Sequence, residues 1–223
     1  MKRHRLPKGA HMKKYFGSLF VGLILASVTC KTVQKEAKPD WLLKPDAFKA
    51  KIELAGNRES FTLDNGLVRR TLRLVPDCAT VDYRNLMTGE AVIRAVRPEA
   101  ILEINGTKYQ IGGLDGQPDQ AYLLPQWFDL LTANPDAFHF SGYEKGETAP
   151  RFPYPRNRWA EDRPWPPPGK SLMLHFKHTS AALRDIRVDV HYEIYVEFDG
   201  CIQESFQDIV FASSEAHCTA FLC

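Results

Sequence analysis

The stretch "FTLDNGLVRRTLRLV", residues 61–75, decides the fold class. Apolar and polar residues alternate on both sides of Asp64-Asn65-Gly66, and a period of two is typical of a strand that buries one face. Asparagine and glycine adopt the positive φ angles of tight hairpin turns, so Asp-Asn-Gly between two such runs predicts a β-hairpin.

The same scheme recurs along the chain. "CATVDYRNLMTGEAVI" (78–93) predicts a hairpin that turns at Met87-Thr88-Gly89, and "EAILEINGTKYQIGG" (99–113) predicts one with a type I′ turn at Asn105-Gly106. "SLMLHFKH" (171–178) and "IRVDVHYEIYVEF" (186–198) indicate two long strands, the second with alternating apolar and polar residues. "AYLLPQWFDLLTANPDAF" (121–138) favours one short helix, broken at Pro125. We therefore predict an all-β chain, an antiparallel β-sandwich of the supersandwich type with one short helix.

The charge of the chain is local. Six of its 29 basic residues and none of its 27 acidic residues precede Cys30, so the rest of the chain has a net charge of −4. This composition gives no support for a nucleic-acid partner or an anionic membrane surface.

The N-terminal segment reads as an export signal. "MKKYFGSLFVGLILASVTCK" (12–31) places two lysines before an apolar run, which is shorter than the roughly 20 residues of a membrane-spanning helix. We interpret residues 1–29 as a signal peptide, with 1–11 as a spurious extension, and "LASVTC" resembles a bacterial lipobox that would lipidate Cys30. Cleavage by an ordinary signal peptidase, an uncleaved anchor and a buried helix remain alternatives. The predicted location is the cell envelope, either lipid-anchored at the outer membrane or in the periplasm.

Three further segments follow from composition. Residues 30–50 read as a Lys-rich tether, residues 51–200 as the β-sandwich, and residues 201–223 as a divergent tail without strand pattern, as truncation or a frame shift would produce. An oxidising compartment allows disulfides, but the cysteines show no zinc-like spacing. They are Cys78, Cys201, Cys218 and Cys223, besides Cys30.

The loop "PYPRNRWAEDRPWPPPGK" (153–170) is the main candidate for binding. Proline excludes a helix or a central strand here, and the loop combines flat aromatic rings with polar side chains, as sugar-binding sites do. Three roles are open: covering an edge of the sandwich, contacting another domain, or binding carbohydrate directly. The candidate contact residues are Tyr154, Arg156, Arg158, Trp159 and Trp165.

Other constellations are weaker. His175, His178 and His191 are better explained as solvated or core histidines than as metal ligands. Glu193, Glu197 and Asp199 lie near one strand end, where exposed carboxylates are common. We predict no metal, no cofactor and no catalytic residue in this chain.

The segments "LDNGLVRRTLRL" (63–74), "DYRNLMTGE" (82–90) and "PWPPPGK" (164–170) resemble the N-terminal region of secreted bacterial α-galactosidase-like (melibiase-type) glycoside hydrolases. The resemblance runs from about residue 61 to residue 195. It implies a β-sandwich that precedes a catalytic (β/α)₈ barrel, with the stiff loop leaning on that barrel.

The barrel itself has no counterpart in the sequence. Such a barrel takes about 250 residues that alternate strand and helix, whereas this chain has 223 residues in all. The resemblance implies an aspartate nucleophile in a Lys-x-Asp motif, but Lys38-Pro39-Asp40 and Lys44-Pro45-Asp46 lie in the predicted tether. We therefore expect the non-catalytic sandwich of such a hydrolase, with carbohydrate or a separate barrel as partner. The alternative is a stand-alone envelope lipoprotein whose sandwich binds a glycan or a protein.

Overall fold

The computed structural model describes residues 39–41, 43–151, 165–195, 206–212 and 218–222. Over this part of the chain it contains eleven β-strands in three antiparallel sheets and two 3₁₀ helices. The predicted all-β, sandwich-like fold is confirmed.

The first sheet is a meander of four strands in chain order. They are β1 (Lys51–Leu54), β2 (Ser60–Asp64), β3 (Val68–Arg73) and β4 (Ala79–Asn85). β2 and β3 form the hairpin that Asp64-Asn65-Gly66 predicts. Gly66 has a φ of 84°, and a β-carbon there would lie 2.6 Å from the ring of Phe48, so both the turn and the packing require glycine.

The second sheet consists of β11 (Cys218–Leu222), β5 (Ala100–Ile104) and β6 (Thr107–Ile111), in that order. The turn between β5 and β6 has φ angles of 49° at Asn105 and 80° at Gly106. Two consecutive positive angles are what a type I′ turn requires, which confirms this hairpin.

The third sheet has the order β10-β9-β8-β7. Its strands are β7 (His139–Glu147), β8 (Gly169–Lys177), β9 (Arg187–Tyr195) and β10 (Phe206–Ala212). The two long strands expected at 171–178 and 186–198 correspond to β8 and β9. A parallel bridge between Ile111 and Phe138 joins the start of β7 to the second sheet.

The tail differs from our expectation of a segment without strands. β10 pairs with β9 along its whole length, and β11 pairs with β5. The hydrogen-bonding edges of β9 and β5 attract any nearby extended segment, so a segment without a clear alternation of apolar and polar residues can still pair there.

Two smaller differences concern local elements. The turn at residues 87–89 does not lead into a full return strand: only Ala91 bridges back, to Arg84. The expected helix is a 3₁₀ helix over Pro125–Leu130, which ends where Leu131 takes an extended backbone conformation. A second 3₁₀ helix, Pro45–Ala47, lies in the predicted tether.

One core joins the inward faces of the three sheets. It contains Phe61 and Leu72 from the first sheet, Leu102 from the second, and Leu174 and Tyr192 from the third. Full burial of each such side chain contributes roughly 1.5–3 kcal/mol. Ala50 belongs to this core and Phe48 is also buried, so packing starts before β1. In the described residues no helix has the length and apolar character needed to cross a bilayer.

Candidate functional site

The polar face of β9 is the most unusual feature of the third sheet. Asp189, His191 and Glu193 alternate with the core residues Val190 and Tyr192, as the sequence predicts. The polar side chains are nevertheless buried, each 3–5% exposed. A strand between β8 and β10 has neighbours on both sides, and its second face is covered as well. Our expectation of an exposed carboxylate at Glu193 is therefore wrong.

At one end of this face, a histidine bridges two carboxylates. His175 of β8 lies opposite Asp189 in the register, and its Nδ1 is 2.7 Å from Asp189 Oδ1. Arg187 donates to the other oxygen of Asp189 at 2.7 Å. His175 Nε2 is 3.4 Å from the exposed carboxylate of Glu144. The Asp189 carboxylate is thus held between two side chains and is not presented as a free acid or base.

At the other end, Glu193 binds the start of the proline-rich loop. Its carboxylate accepts hydrogen bonds from the Tyr195 hydroxyl and, at 3.3 Å, from Nε of Arg151. His191 Nε2 lies 4.0 Å from the same carboxylate. Arg151 lies two residues before the proline-rich loop. Its ion pair with the buried Glu193 therefore fixes where the loop leaves the sheet.

The far end of the loop returns to the same edge. The Thr148 hydroxyl donates to the carbonyl of Pro167 at 2.8 Å, and the Thr148 amide donates to Gly169 at 3.3 Å. Trp165 is partly buried, with its indole nitrogen enclosed. Both ends of the loop therefore lie at the same end of the third sheet, where β8 begins and β9 ends.

The other candidate contact residues, Tyr154, Arg156, Arg158 and Trp159, lie outside the described residues, as do Cys30, Glu197 and Asp199. Cys78 is a buried free thiol, and burial raises its pKa. Among the described residues, no group of three or more His, Cys, Asp or Glu is arranged to hold a metal ion.

The carboxylates on β9 do not match the spacing of a hydrolytic pair. Glycosidases place two carboxyl groups about 5–9.5 Å apart. Asp189 and Glu193 are four residues apart on one strand, a distance of about 13 Å at roughly 3.4 Å per residue. Each is also bound to a different arginine. The geometry suits an anchoring role for these two groups.

A second buried polar cluster, which no pattern in the sequence predicts, lies inside the sandwich. Glu99 accepts bonds from the Thr80 amide at 2.5 Å, from Arg70 at 3.1 Å and from the Tyr192 hydroxyl. The Arg70 guanidinium lies 4.7 Å from the centre of the Tyr192 ring. The cluster joins β3 and β4 of the first sheet to β9 of the third.

The pKa values in this cluster follow from burial and neighbouring charge. Loss of solvent raises the pKa of Tyr192 well above its ordinary value, and the Glu99 carboxylate raises it further. Burial opposes the charge of Arg70, but Tyr192 and Glu99 outweigh that effect and raise the pKa of Arg70. The phenol stays protonated and the guanidinium stays charged, which is the combination that Glu99 needs to remain hydrogen-bonded.

The aromatic residues of the 3₁₀ helix divide between core and surface. Phe128 packs against a small second core. Trp127 instead stacks on the half-exposed Tyr122 with ring centres 5.6 Å apart.

The fold and the polar face define a sandwich-like, all-β domain that anchors a proline-rich loop on a buried ion pair. No family model, curated protein or solved structure matches the chain.

Proposed function

We propose that this chain is the non-catalytic N-terminal β-sandwich of a secreted, lipid-anchored α-galactosidase-like glycoside hydrolase. In this proposal the catalytic barrel lies outside the sequence, and the domain supports carbohydrate breakdown at the cell envelope by contacting that barrel. The resemblance of residues 61–195 to such hydrolases motivates the proposal.

The ion pair between Arg151 and the buried Glu193 is the observation that supports it most directly. Truncating one partner of a buried ion pair costs about 3–5 kcal/mol, so this pair holds the base of the loop firmly. A loop with a fixed base and aromatic and basic residues beyond it has the composition that dominates protein interfaces, where tryptophan, tyrosine and arginine contribute most.

The test begins with the encoding DNA, in which we expect a barrel in an adjoining frame or gene. Co-expression of that barrel with this chain should give a 1:1 complex in size-exclusion chromatography with light scattering. Trp159→Ala with Trp165→Ala should weaken the complex by at least roughly thirtyfold, because a single interface tryptophan commonly contributes about 2 kcal/mol.

Trp127→Ala is the matched control, since Trp127 stacks on Tyr122 in the segment between β6 and β7, and it should leave the complex intact. The proposal would be overturned if the neighbouring gene is unrelated, or if the encoded barrel does not bind this chain. Hydrolysis of an aryl α-galactoside by the purified chain alone would also contradict its non-catalytic part.

The second candidate is the stand-alone envelope lipoprotein. The pairing of β10 with β9 and of β11 with β5 favours it, because these edges need no strand from another chain. A monomer with a sharp, reversible thermal transition that binds a glycan without any barrel would support this candidate over the first.

A further inference from the structure

The outer face of the first sheet forms a polar groove that the proposed function does not use. The groove has a volume of about 630 Å³ and is lined by side chains from all four strands. Small-molecule sites commonly have volumes of about 300–1,000 Å³. β2 turns Phe61 and Leu63 into the core, which leaves Thr62 and Asp64 on the groove side.

The strand register orders these side chains into two rows. One row runs Glu53, Thr62, Thr71, Asp82 across β1 to β4, with a carboxylate at each end and two threonines between. With about 4.8 Å between strands, the row is about 14 Å long.

The second row runs Lys51, Asp64, Arg69, Arg84. Arg69 and Asp64 form an ion pair at 2.6 Å, and Arg84 pairs with Asp82 of the first row at 2.9 Å. Charged side chains therefore flank the threonines along one long side of the groove and at both ends of their own row.

The charges that line the groove cancel. Its cations are Lys49, Lys51 and Arg69, and its anions are Glu53, Asp64 and Asp82. A polyanion or a polycation would meet as much repulsion as attraction there. The favoured occupant is uncharged and offers hydrogen-bond donors and acceptors side by side.

Sugar hydroxyls have this property. Each hydroxyl donates one hydrogen bond and accepts two, so a single group can bond to a carboxylate and to a lysine or threonine at once. Among the described residues that line the groove, the largest apolar side chain is that of Ala47. The groove therefore offers little apolar contact surface for an apolar ligand or for the apolar side chains of a peptide.

We propose that the outer face of β1–β4 binds a neutral oligosaccharide, with Thr62 and Thr71 at the centre and Glu53 and Asp82 at the ends. The site lies on a different sheet from the loop. The inference relies on the proposed function only for the choice of an α-galactosyl probe. Because no aromatic ring stacks on the sugar, we expect a dissociation constant in the millimolar range.

The test is an amide chemical-shift titration of the purified chain with the trisaccharide raffinose, up to about 10 mM, ten times a millimolar dissociation constant. Saturable shifts should concentrate in β1–β4. Thr62→Val with Thr71→Val removes two hydroxyls and keeps the β-branched shape of both side chains. We expect the double variant to bind at least about fivefold more weakly; for comparison, a tenfold change corresponds to 1.4 kcal/mol.

Thr107→Val, on the exposed start of β6, is the matched control and should bind as the unaltered chain does. If the double variant fails to fold, Glu53→Gln and Asp82→Asn at the two ends of the row test the same site. The absence of shifts in β1–β4 with both raffinose and maltotriose would overturn the inference. If only a zwitterionic dipeptide causes shifts there, the groove binds a peptide and not a sugar.

The outcome is separable from that of the proposed function. Raffinose binding with no barrel partner supports the groove and overturns the hydrolase proposal. A barrel complex with no sugar bound at β1–β4 does the reverse.

Discussion

Asn65 serves the hairpin and the packing of the sandwich at once. Its side-chain oxygen accepts bonds from the amides of Leu67 and Val68, both at 3.0 Å, which closes the turn between β2 and β3. Its amide nitrogen donates to the carbonyl of Tyr195 at 3.2 Å. One buried side chain thus connects the β2–β3 hairpin to the end of β9.

We expect Asn65→Ala to lower the free energy of unfolding by about 2–3 kcal/mol, since each of its three bonds contributes about 1 kcal/mol. Urea denaturation measures the change. Asn57→Ala is the control, because Asn57 makes similar turn bonds on an exposed loop, and exposed substitutions shift stability by only about 0.5 kcal/mol. Equal losses for the two variants would contradict the role of the Tyr195 bond.

Tyr192 makes stability depend on alkaline pH. Its pKa is raised in the folded chain, so above about pH 10 the unfolded chain releases a proton that the folded chain keeps. Stability is full below that pH and falls as pH rises. The raised pKa of Cys78 acts in the same direction, from about pH 8.5 upward.

We expect Tyr192→Phe to flatten the loss of stability above about pH 10, and Cys78→Ala to flatten it from about pH 8.5. Urea denaturation between neutral and alkaline pH gives both profiles. Tyr122→Phe, at a half-exposed ring, should leave the profile as it is. If the profile of Tyr192→Phe matches that of the unaltered chain, the Glu99 cluster does not govern the alkaline response.

At the level of elements, β10 and β11 decide whether β9 and β5 become the edge strands of their sheets. β10 covers β9 in the third sheet, and β11 covers β5 in the second. An uncovered edge presents unpaired amides and carbonyls to other chains and promotes aggregation.

We expect a chain ending at residue 197 to aggregate, and a chain ending at residue 212, which keeps β10, to aggregate less. Light scattering and the soluble yield after purification measure both. A soluble, monomeric 197-residue variant with an unchanged thermal transition would show that β10 and β11 add nothing to the sandwich.

The sequence predicts those elements whose cause is local. The Asn105-Gly106 hairpin needs only the two turn residues and the flanking alternation, and it was predicted correctly. The burial of Glu193 depends on Arg151, and the burial of Glu99 depends on Arg70 and Tyr192. A polar residue is predicted to be exposed when its distant partner is not known, so the burial of Glu193 was misjudged.

At the level of the whole molecule, charge separates the N-terminal segment from the domain. The predicted signal segment, residues 1–29, carries six basic and no acidic residues, whereas the rest of the chain has a net charge of −4. This asymmetry is typical of an exported protein, and the lipid anchor is the part of the proposal that one residue can test.

We expect labelled palmitate to enter the protein in a bacterium that processes lipoproteins, because Cys30 follows a lipobox-like segment. Cys30→Ser should abolish the label, and Cys78→Ser, at a buried thiol, should retain it. Gel autoradiography of the membrane fraction gives the answer. An unlabelled, soluble wild-type protein would contradict lipidation.

The pairing of β11 with β5 also sets an order of events during synthesis. Ala100 of β5 pairs with Leu222 of β11, so β5 leaves the ribosome about 10 s before its partner at 5–20 residues per second. The β5–β6 hairpin can close within microseconds, but the second sheet stays incomplete until the last strand is made. A sheet that stays incomplete during synthesis is compatible with the proposed export, because passage through a membrane translocon requires an unfolded chain.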